Sequence, residues 1–211
     1  MNQSRTVAAF DFDHTLSDRD NVLAFLVSVG GRARVTRALI ANTHNLLRNR
    51  RDAIKRSITK KILGGRSLSE IENYAHDFAR QIITHHLHKE VVARAEWHRQ
   101  QGHQLVIVSA SYACYLRPIA DHLEFDAVLA TELETRLGSG ARRDQPFLTG
   151  ELIGGNVYGA EKVARLNAWI GPQPATVWAY GDSAGDHELL QRADHAVRVG
   201  QHLLSPIPAG Y

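Results

Sequence analysis

Short apolar runs separated by amphipathic stretches mark the beginning and the second half of the chain. The runs are rich in β-branched residues and too short for typical helices, so they predict buried strands. The predicted strands lie at 6–10, 104–109, 127–131, 176–180 and 196–199, with one arm of a small hairpin at 147–153. Helical spacing of apolar residues is found at 118–123, 160–170 and 186–193. Strands that alternate with helices indicate an α/β fold built on a parallel sheet.

A helical segment interrupts this alternation between the first two predicted strands. Residues 17–103 show apolar residues at helical spacing and no strand pattern, and the segment is too long for a loop. Ser67 followed by Glu70 fits a capping box at the start of one of its helices. We therefore predict a helical cap domain at 17–103, inserted into a core formed by 1–16 and 104–211.

Composition and charge restrict the class of protein. Hydrophobic residues make up 44% of the 211 residues, which is enough for a core and excludes a disordered chain. The net charge of +3 suits an anionic substrate better than a dedicated nucleic-acid interface. Cys114 is the only cysteine, so we expect a reducing, cytoplasmic setting. The longest apolar stretch, 22–29, is shorter than a membrane span, and no signal peptide is expected.

Polar side chains follow several of the predicted strands. They are Asp11, Asp13, Ser109, Asp182 and Asp186, and Lys162 stands at the start of a helix. In an open parallel sheet, ligands bind outside the carboxyl ends of the strands, so these side chains are expected to converge there. Two carboxylates beside a buried strand are costly unless a cation or hydrogen bonds meet them. Taken singly, each motif has an ordinary explanation as a capped turn or a solvated charge, and the interpretation depends on their joint occurrence.

The motifs Asp-x-Asp-x-Thr, Ser, Lys and Gly-Asp-x-x-x-Asp occur in this order between about residues 7 and 190. The set resembles the haloacid dehalogenase (HAD) superfamily, in particular its phosphoserine-phosphatase-like subgroup. The resemblance implies a three-layer Rossmann-like parallel sheet with an inserted helical cap of the C1 type. It also implies Mg²⁺-dependent hydrolysis of a small phosphorylated substrate through an aspartyl-phosphate.

The resemblance assigns roles to the motif residues. Asp11 is expected to be the nucleophile and a Mg²⁺ ligand, and Asp13 the general acid and then the general base, with its backbone carbonyl on the metal. Lys162 is expected to neutralise developing charge on the phosphoryl group. Asp182 is expected to bind the metal directly. Asp186 would do so through water, or would orient Lys162.

A second group of residues is expected to bind the substrate. Thr15 would fix the turn after Asp13, and Ser109 with the backbone at Ala110 would bind the phosphoryl oxygens. Asp20 stands where the subgroup has a glutamate that meets the phosphoserine amine, and Arg56 is the nearest candidate for the substrate carboxylate. The serine or glycine usual before the motif threonine is His14 here, and the asparagine that often precedes the last aspartate is Gly185.

The substrate and the partners stay open at this point. Phosphoserine leads, and histidinol phosphate, a lysophospholipid or a non-catalytic binding role on the same scaffold are the alternatives. The basic stretch 48–61 is a solvated helical face, a funnel for anionic substrates or a weak membrane-surface patch. It contains no aromatic residue, so no nucleic-acid partner is expected. We expect a monomer or a homodimer without membrane insertion.

Overall fold

A six-stranded sheet forms the centre of the protein, in a computed structural model that describes residues 5–42, 51–138 and 145–200, apart from the side chain of Arg51. The strands are β1 (Arg5–Phe10), β2 (Gln104–Tyr112), β3 (Ala127–Leu137), β4 (Pro146–Ile153), β5 (Ala175–Gly181) and β6 (His195–Arg198). Their order across the sheet is β4-β3-β2-β1-β5-β6. All six coincide with predicted strands, so the α/β fold class is confirmed.

Strand β1 lies in the middle of the sheet and is parallel to both of its neighbours. Ala8 is paired with Leu105 of β2 on one side and with Trp178 of β5 on the other. A strand covered on both faces needs apolar residues at successive positions, which explains the continuous run of buried residues from Val7 to Phe10. Only β4 departs from the parallel arrangement, because it forms an antiparallel hairpin with β3.

Helices cover both faces of this sheet. They are α1 (Asn21–Gly30), α2 (Arg32–Ile40), α3 (Arg51–Leu63), α4 (Leu68–His85), α5 (Lys89–Gln100), α6 (Ala113–His122), α7 (Ala160–Ile170) and α8 (His187–Arg192). Val7 and Ala9 of β1 pack with residues of α7 and α8, whereas Ala8 and Phe10 share a core with α5 and α6. This alternation along one strand produces three layers, as predicted.

Helices α1 to α5 lie between β1 and β2, in the segment predicted as a cap. The two chain connections at its base run side by side, with an antiparallel bridge between Ser17 and Leu87 and a 2.9 Å hydrogen bond from His88 N to Leu16 O. Helix α4 begins where expected, since the Ser67 hydroxyl accepts from Glu70 N at 3.2 Å. Helix α5 follows the second connection and packs on the sheet. The domain division at 17–103 stays a prediction.

Helix α3 packs against strand β4 where Gly64, the residue after the helix, lies close to Gly150 of the strand. A Cβ atom at Gly150 would lie 2.6 Å from the Cα atom of Lys60, and the φ angle of Gly150 is +84°. Both the backbone conformation and the close approach therefore require glycine. This contact joins an inserted helix to the edge of the sheet.

We expect Gly150→Ala to destabilise the protein more than Gly171→Ala. Gly171 has a similar φ of +74° with nothing within 4 Å of a Cβ position, so its substitution introduces only the backbone strain, about 1–3 kcal/mol. Gly150→Ala adds the clash with the Lys60 backbone, about 1–3 kcal/mol more. Urea unfolding of both variants measures the difference. Equal losses would contradict the close approach.

His98 is a buried histidine that lies in a cluster of aromatic side chains on one face of the sheet. His98 Nε2 is 2.8 Å from the Tyr180 hydroxyl, and its Nδ1 is 2.7 Å from His103 Nδ1. Burial lowers the pKa of His98 to about 3, and the charges of His103 and Arg94 act in the same direction. The folded state therefore holds the neutral ring, whereas the unfolded state takes up a proton near the ordinary pKa of about 6.5.

This difference predicts a pH-dependent stability. Above about pH 6.5 the contribution of His98 to the free energy of unfolding is fully present. Below that pH, this group lowers the free energy of unfolding by up to about 1.4 kcal/mol per pH unit. The fall continues towards the folded-state pKa. We expect His98→Phe to make the free energy of unfolding, measured in urea, depend less on pH between pH 6.5 and 4.5. His122→Phe, at an exposed position, should keep the wild-type dependence on pH. An unchanged slope in His98→Phe would refute the assignment.

Candidate active site

A lysine held between two carboxylates forms the centre of the site. Lys162 Nζ lies 2.5 Å from Asp11 Oδ1 and 2.5 Å from Asp186 Oδ1, and all three side chains are buried. Asp11 follows β1, Asp186 ends a short 3₁₀ turn after β5, and Lys162 is in the first turn of α7. The carboxyl ends of neighbouring parallel strands thus bring the predicted residues together.

Burial and charge shift the pKa values of these groups. Burial raises the pKa of Asp11 to about 7, the Asp186 and Asp13 charges add to this, and Lys162 opposes it. Burial alone would lower the pKa of Lys162, but the two carboxylates outweigh it and the net pKa is raised. Lys162 is therefore a fixed positive charge at neutral pH.

Asp13 is held in one orientation by two residues that the motifs do not include. Its Oδ1 accepts from Asn21 Nδ2 at 2.7 Å and Asn21 N at 3.1 Å, and its Oδ2 accepts from Ser111 Oγ at 2.7 Å. Burial raises the pKa of Asp13 although these hydrogen bonds lower it. A carboxyl with a raised pKa that points into a cavity is suited to donate and recover a proton.

The chain turns sharply between the two motif aspartates and the first inserted helix. Residues Phe12–Leu16 form a kinked helical turn in which His14 has φ of 57°, a conformation rare for a residue with a side chain. The Thr15 hydroxyl lies 3.4 Å from Asp11 Oδ2. This turn directs the side chains of Asp11 and Asp13 to the same side of the sheet edge.

A cavity of about 430 Å³ opens above these residues, a volume typical of small-molecule sites. Ser109, Ala110, Asp182 and Asp20 all line it, as does His14. Thr15 and Asp186 do not line the cavity. Thr15 contacts Asp11 and Asp186 contacts Lys162, and these two partners line it.

Arg56 lies outside this cavity, exposed on α3, and its neighbour Lys55 lines the cavity instead. Lys55 Nζ donates to Ala110 O, to Thr131 Oγ1 at 3.1 Å and to Asn156 Oδ1 at 2.6 Å. Burial lowers the pKa of Lys55 to about 7. Of the predicted basic stretch, Arg48 and Arg50 lie outside the described residues.

Three carboxylates could share a metal ion. Ligand oxygens of Asp11, Asp182 and Asp186 all lie within 4.8 Å of one another. Three ionised carboxylates and Lys162 sum to a charge of −2, which a divalent cation would balance. Carboxylate oxygens are the ligands that Mg²⁺ prefers, so the donor set fits that ion. Burial and the charge of Asp186 raise the pKa of Asp182, the half-exposed member of the three.

Comparison with known proteins gives a family match and a relative of similar length. A family model described as haloacid dehalogenase-like hydrolase matches residues 8–191. The chain is 34% identical over 200 residues to Protein CicA of Caulobacter vibrioides (strain NA1000 / CB15N). That match covers 92% of this chain and 86% of CicA.

Solved structures show the same fold. A protein of unknown function from Bordetella pertussis Tohama I has a TM-score of 0.74 at 24% identity, over 90% of this chain and 87% of its own. A substrate-bound phosphoserine phosphatase has a TM-score of 0.57 at 16% identity, over 91% and 84% of the two chains. At these identities the likeness concerns the fold alone. Across the described residues, no helix is long and apolar enough to span a membrane.

We expect Lys162→Met to destabilise the protein in a pH-dependent way. The substitution leaves two buried carboxylates without their cation, which costs about 3–5 kcal/mol of unfolding free energy. Burial already raises the pKa of Asp11 to about 7, and loss of the lysine removes the charge that opposes this rise. Protonation therefore relieves the loss at low pH, and the loss grows as pH increases. Urea unfolding of the wild type and of Lys162→Met in EDTA, at pH 5 and at pH 8, measures this loss of unfolding free energy.

Adding Asp11→Asn to Lys162→Met serves as the control, because it removes one of the unpaired charges. The double variant should recover part of the stability lost at pH 8. A small loss that is the same at both pH values would show that the three groups are not coupled.

Proposed function

The chain belongs to the haloacid dehalogenase-like hydrolases, and from this premise we propose that it is a Mg²⁺-dependent phosphatase of phosphomonoesters. The match confirms the family that the motifs indicated. The observation that carries the proposal is the buried Lys162 between Asp11 and Asp186, with Asp13 directed into the same cavity by Asn21 and Ser111. A nucleophile, a fixed cation and a proton donor are thus proposed to act together at the floor of one cavity.

Mg²⁺ would be held by the Asp11 and Asp182 carboxylates together with the backbone carbonyl of Asp13. When bound, the ion supplies positive charge that allows an anionic phosphate to approach a carboxylate. Both oxygens of Asp186 are engaged, Oδ1 by Lys162 and Oδ2 by Ser183 N and Oγ at 3.1 and 2.9 Å. This supports a role for Asp186 in positioning Lys162 rather than as a direct ligand.

In the first step, a carboxylate oxygen of Asp11 attacks phosphorus and the bond from phosphorus to the leaving oxygen breaks. Lys162 and the Ser109 hydroxyl stabilise the charge on the phosphoryl oxygens. Asp13 gives its proton to the leaving oxygen, so the alcohol departs neutral and an aspartyl-phosphate remains on Asp11. The raised pKa of Asp13 supports this role, because the proton must be present when the substrate binds.

In the second step, water attacks the phosphorus of the aspartyl-phosphate. The ionised Asp13 takes a proton from that water, and the bond between phosphorus and the Asp11 oxygen breaks. Inorganic phosphate leaves, and both aspartates return to their starting states. The same hydrogen bonds from Asn21 and Ser111 serve Asp13 in both steps.

We expect phosphate release from phosphomonoesters to require Asp11, Lys162 and Mg²⁺. The panel contains phosphoserine, histidinol phosphate, sugar phosphates and lysophosphatidate, measured by release of inorganic phosphate. Asp11→Asn should abolish turnover, and Lys162→Ala should lower kcat by about 10²–10³ because it removes a charged donor to the transition state. EDTA should remove activity, and added Mg²⁺ should restore it.

Asp121→Asn is the matched control, since Asp121 is exposed on α6 and does not line the cavity. It should keep the wild-type rate. Wild-type turnover in Asp11→Asn would contradict the mechanism. Absence of release from every compound would favour the alternative, a non-catalytic binding role on the same fold.

A further inference from the structure

We infer that the leaving group of the substrate is an uncharged aliphatic chain. The inference rests on the proposed function and adds the substrate class. It comes from the cavity wall that faces the catalytic residues. The composition of this wall differs sharply from that of the cavity floor.

The cavity has two chemically distinct sides. The floor, from the ends of the core strands, carries Asp11, Asp13, Ser109 and Asp182 together with Lys162. The opposite side comes from α1, α2 and α3, and six of its side chains are aliphatic. These six, which we name the aliphatic wall, are Val22, Leu23, Leu26, Leu39, Ile54 and Ile58. A phosphate on the floor would therefore place its leaving group against hydrocarbon.

The aliphatic wall extends from the interior to the protein surface. Leu26 and Ile58 are buried at its inner end, whereas Leu23 is 43% exposed and Leu39 38% exposed. A continuous apolar surface with an open end fits an extended chain better than a compact group. Covering Leu23 and Leu39 with a chain would remove apolar area from water, which favours binding.

Among the described residues, this side of the cavity offers few partners to a charged leaving group. Lys55 Nζ is already held by three oxygen atoms of the protein, Ala110 O, Thr131 Oγ1 and Asn156 Oδ1. Asp20 Oδ1 accepts from Leu23 N at 3.3 Å as the cap of α1. His14 lies near Asp182 on the floor of the cavity, close enough for its charge to act on that carboxylate.

The charges of phosphoserine are poorly matched to this environment. Its carboxylate needs a cation, and within the described lining both lysines are committed, Lys55 as above and Lys162 to Asp11 and Asp186. The ammonium could meet the Asp20 carboxylate, but placing the substrate carboxylate against six aliphatic side chains without a cation is costly. An alkyl or acyl chain has no such cost and gains from each methylene it buries.

A homologous series of n-alkyl phosphates from ethyl to octyl tests the inference, with phosphoserine as the polar comparison. All are used as free monomers with Mg²⁺, and kcat/KM is obtained from phosphate release. We expect kcat/KM to rise by about three- to fourfold per methylene, the factor that corresponds to burying one CH₂, until the chain fills the wall. The kcat/KM for octyl phosphate should exceed that for phosphoserine.

Two neighbouring residues of α2 provide matched variants. Leu39 lines the cavity, whereas Ile40 is 63% exposed and does not. Leu39→Ser should make the chain-length dependence of kcat/KM shallower, mainly through KM for the longer chains. Ile40→Ser should keep the wild-type dependence.

The same chain could come from a soluble amphiphile or from a lipid surface. Lysophosphatidate is therefore offered below its micelle concentration and in phosphatidylcholine vesicles. Faster release from monomers supports a soluble source, and faster release from vesicles supports a membrane source.

A flat chain-length series, or preference for phosphoserine over octyl phosphate, would overturn the aliphatic leaving group and leave the phosphatase intact. Loss of the chain-length dependence in Ile40→Ser as well as in Leu39→Ser would also overturn it, because the aliphatic wall would then not be its source. Absence of release from every compound would overturn the proposed function, and this inference with it.

Discussion

A lysine buried between two carboxylates is the constraint on which the rest of the structure depends. Removing three charged groups from water costs several kcal/mol per ion, and only short contacts among them can offset that cost. Lys162, Asp11 and Asp186 come from three elements, so the sheet and α7 must meet with little tolerance. Gly181 shows how closely the turn that carries Asp186 packs on the end of β5, because a Cβ there would lie 2.5 Å from the Cβ of Asp186.

The inserted helices and the floor of the cavity are coupled by hydrogen bonds as well as by packing. Asn21, the first residue of α1, holds Asp13, and Lys55 of α3 donates to the carbonyl of Ala110, next to Ser109. A shift of α1 or α3 would therefore change the surroundings of Asp13 and of the strand end at Ser109. The helices that form the aliphatic wall thus also hold groups on the cavity floor in place.

The sequence predicts strands and motifs better than it predicts their partners. Apolar runs fixed the position of every strand, and motif order identified the family. The motifs do not point to Asn21 and Ser111, because these residues meet Asp13 only in three dimensions, eight residues and 98 residues away along the chain. The sequence predicts Arg56 where the structure places Lys55, for a similar reason. Successive helical residues point about 100° apart, so only the docking of α3 decides which of the two faces the cavity.

The floor and the aliphatic wall act on different kinetic quantities. In the proposed mechanism, Lys162 and Asp13 interact with charge that develops during the reaction, so their contribution would appear in kcat. A chain held by aliphatic side chains makes the same contacts before and during phosphoryl transfer, and such uniform binding lowers KM without raising kcat. Under the proposed function, the buried charge cluster would account for the reaction, and the inserted helices would account for the choice of leaving group. Substrate selection can then change through α1, α2 and α3 while the buried charge cluster stays as it is.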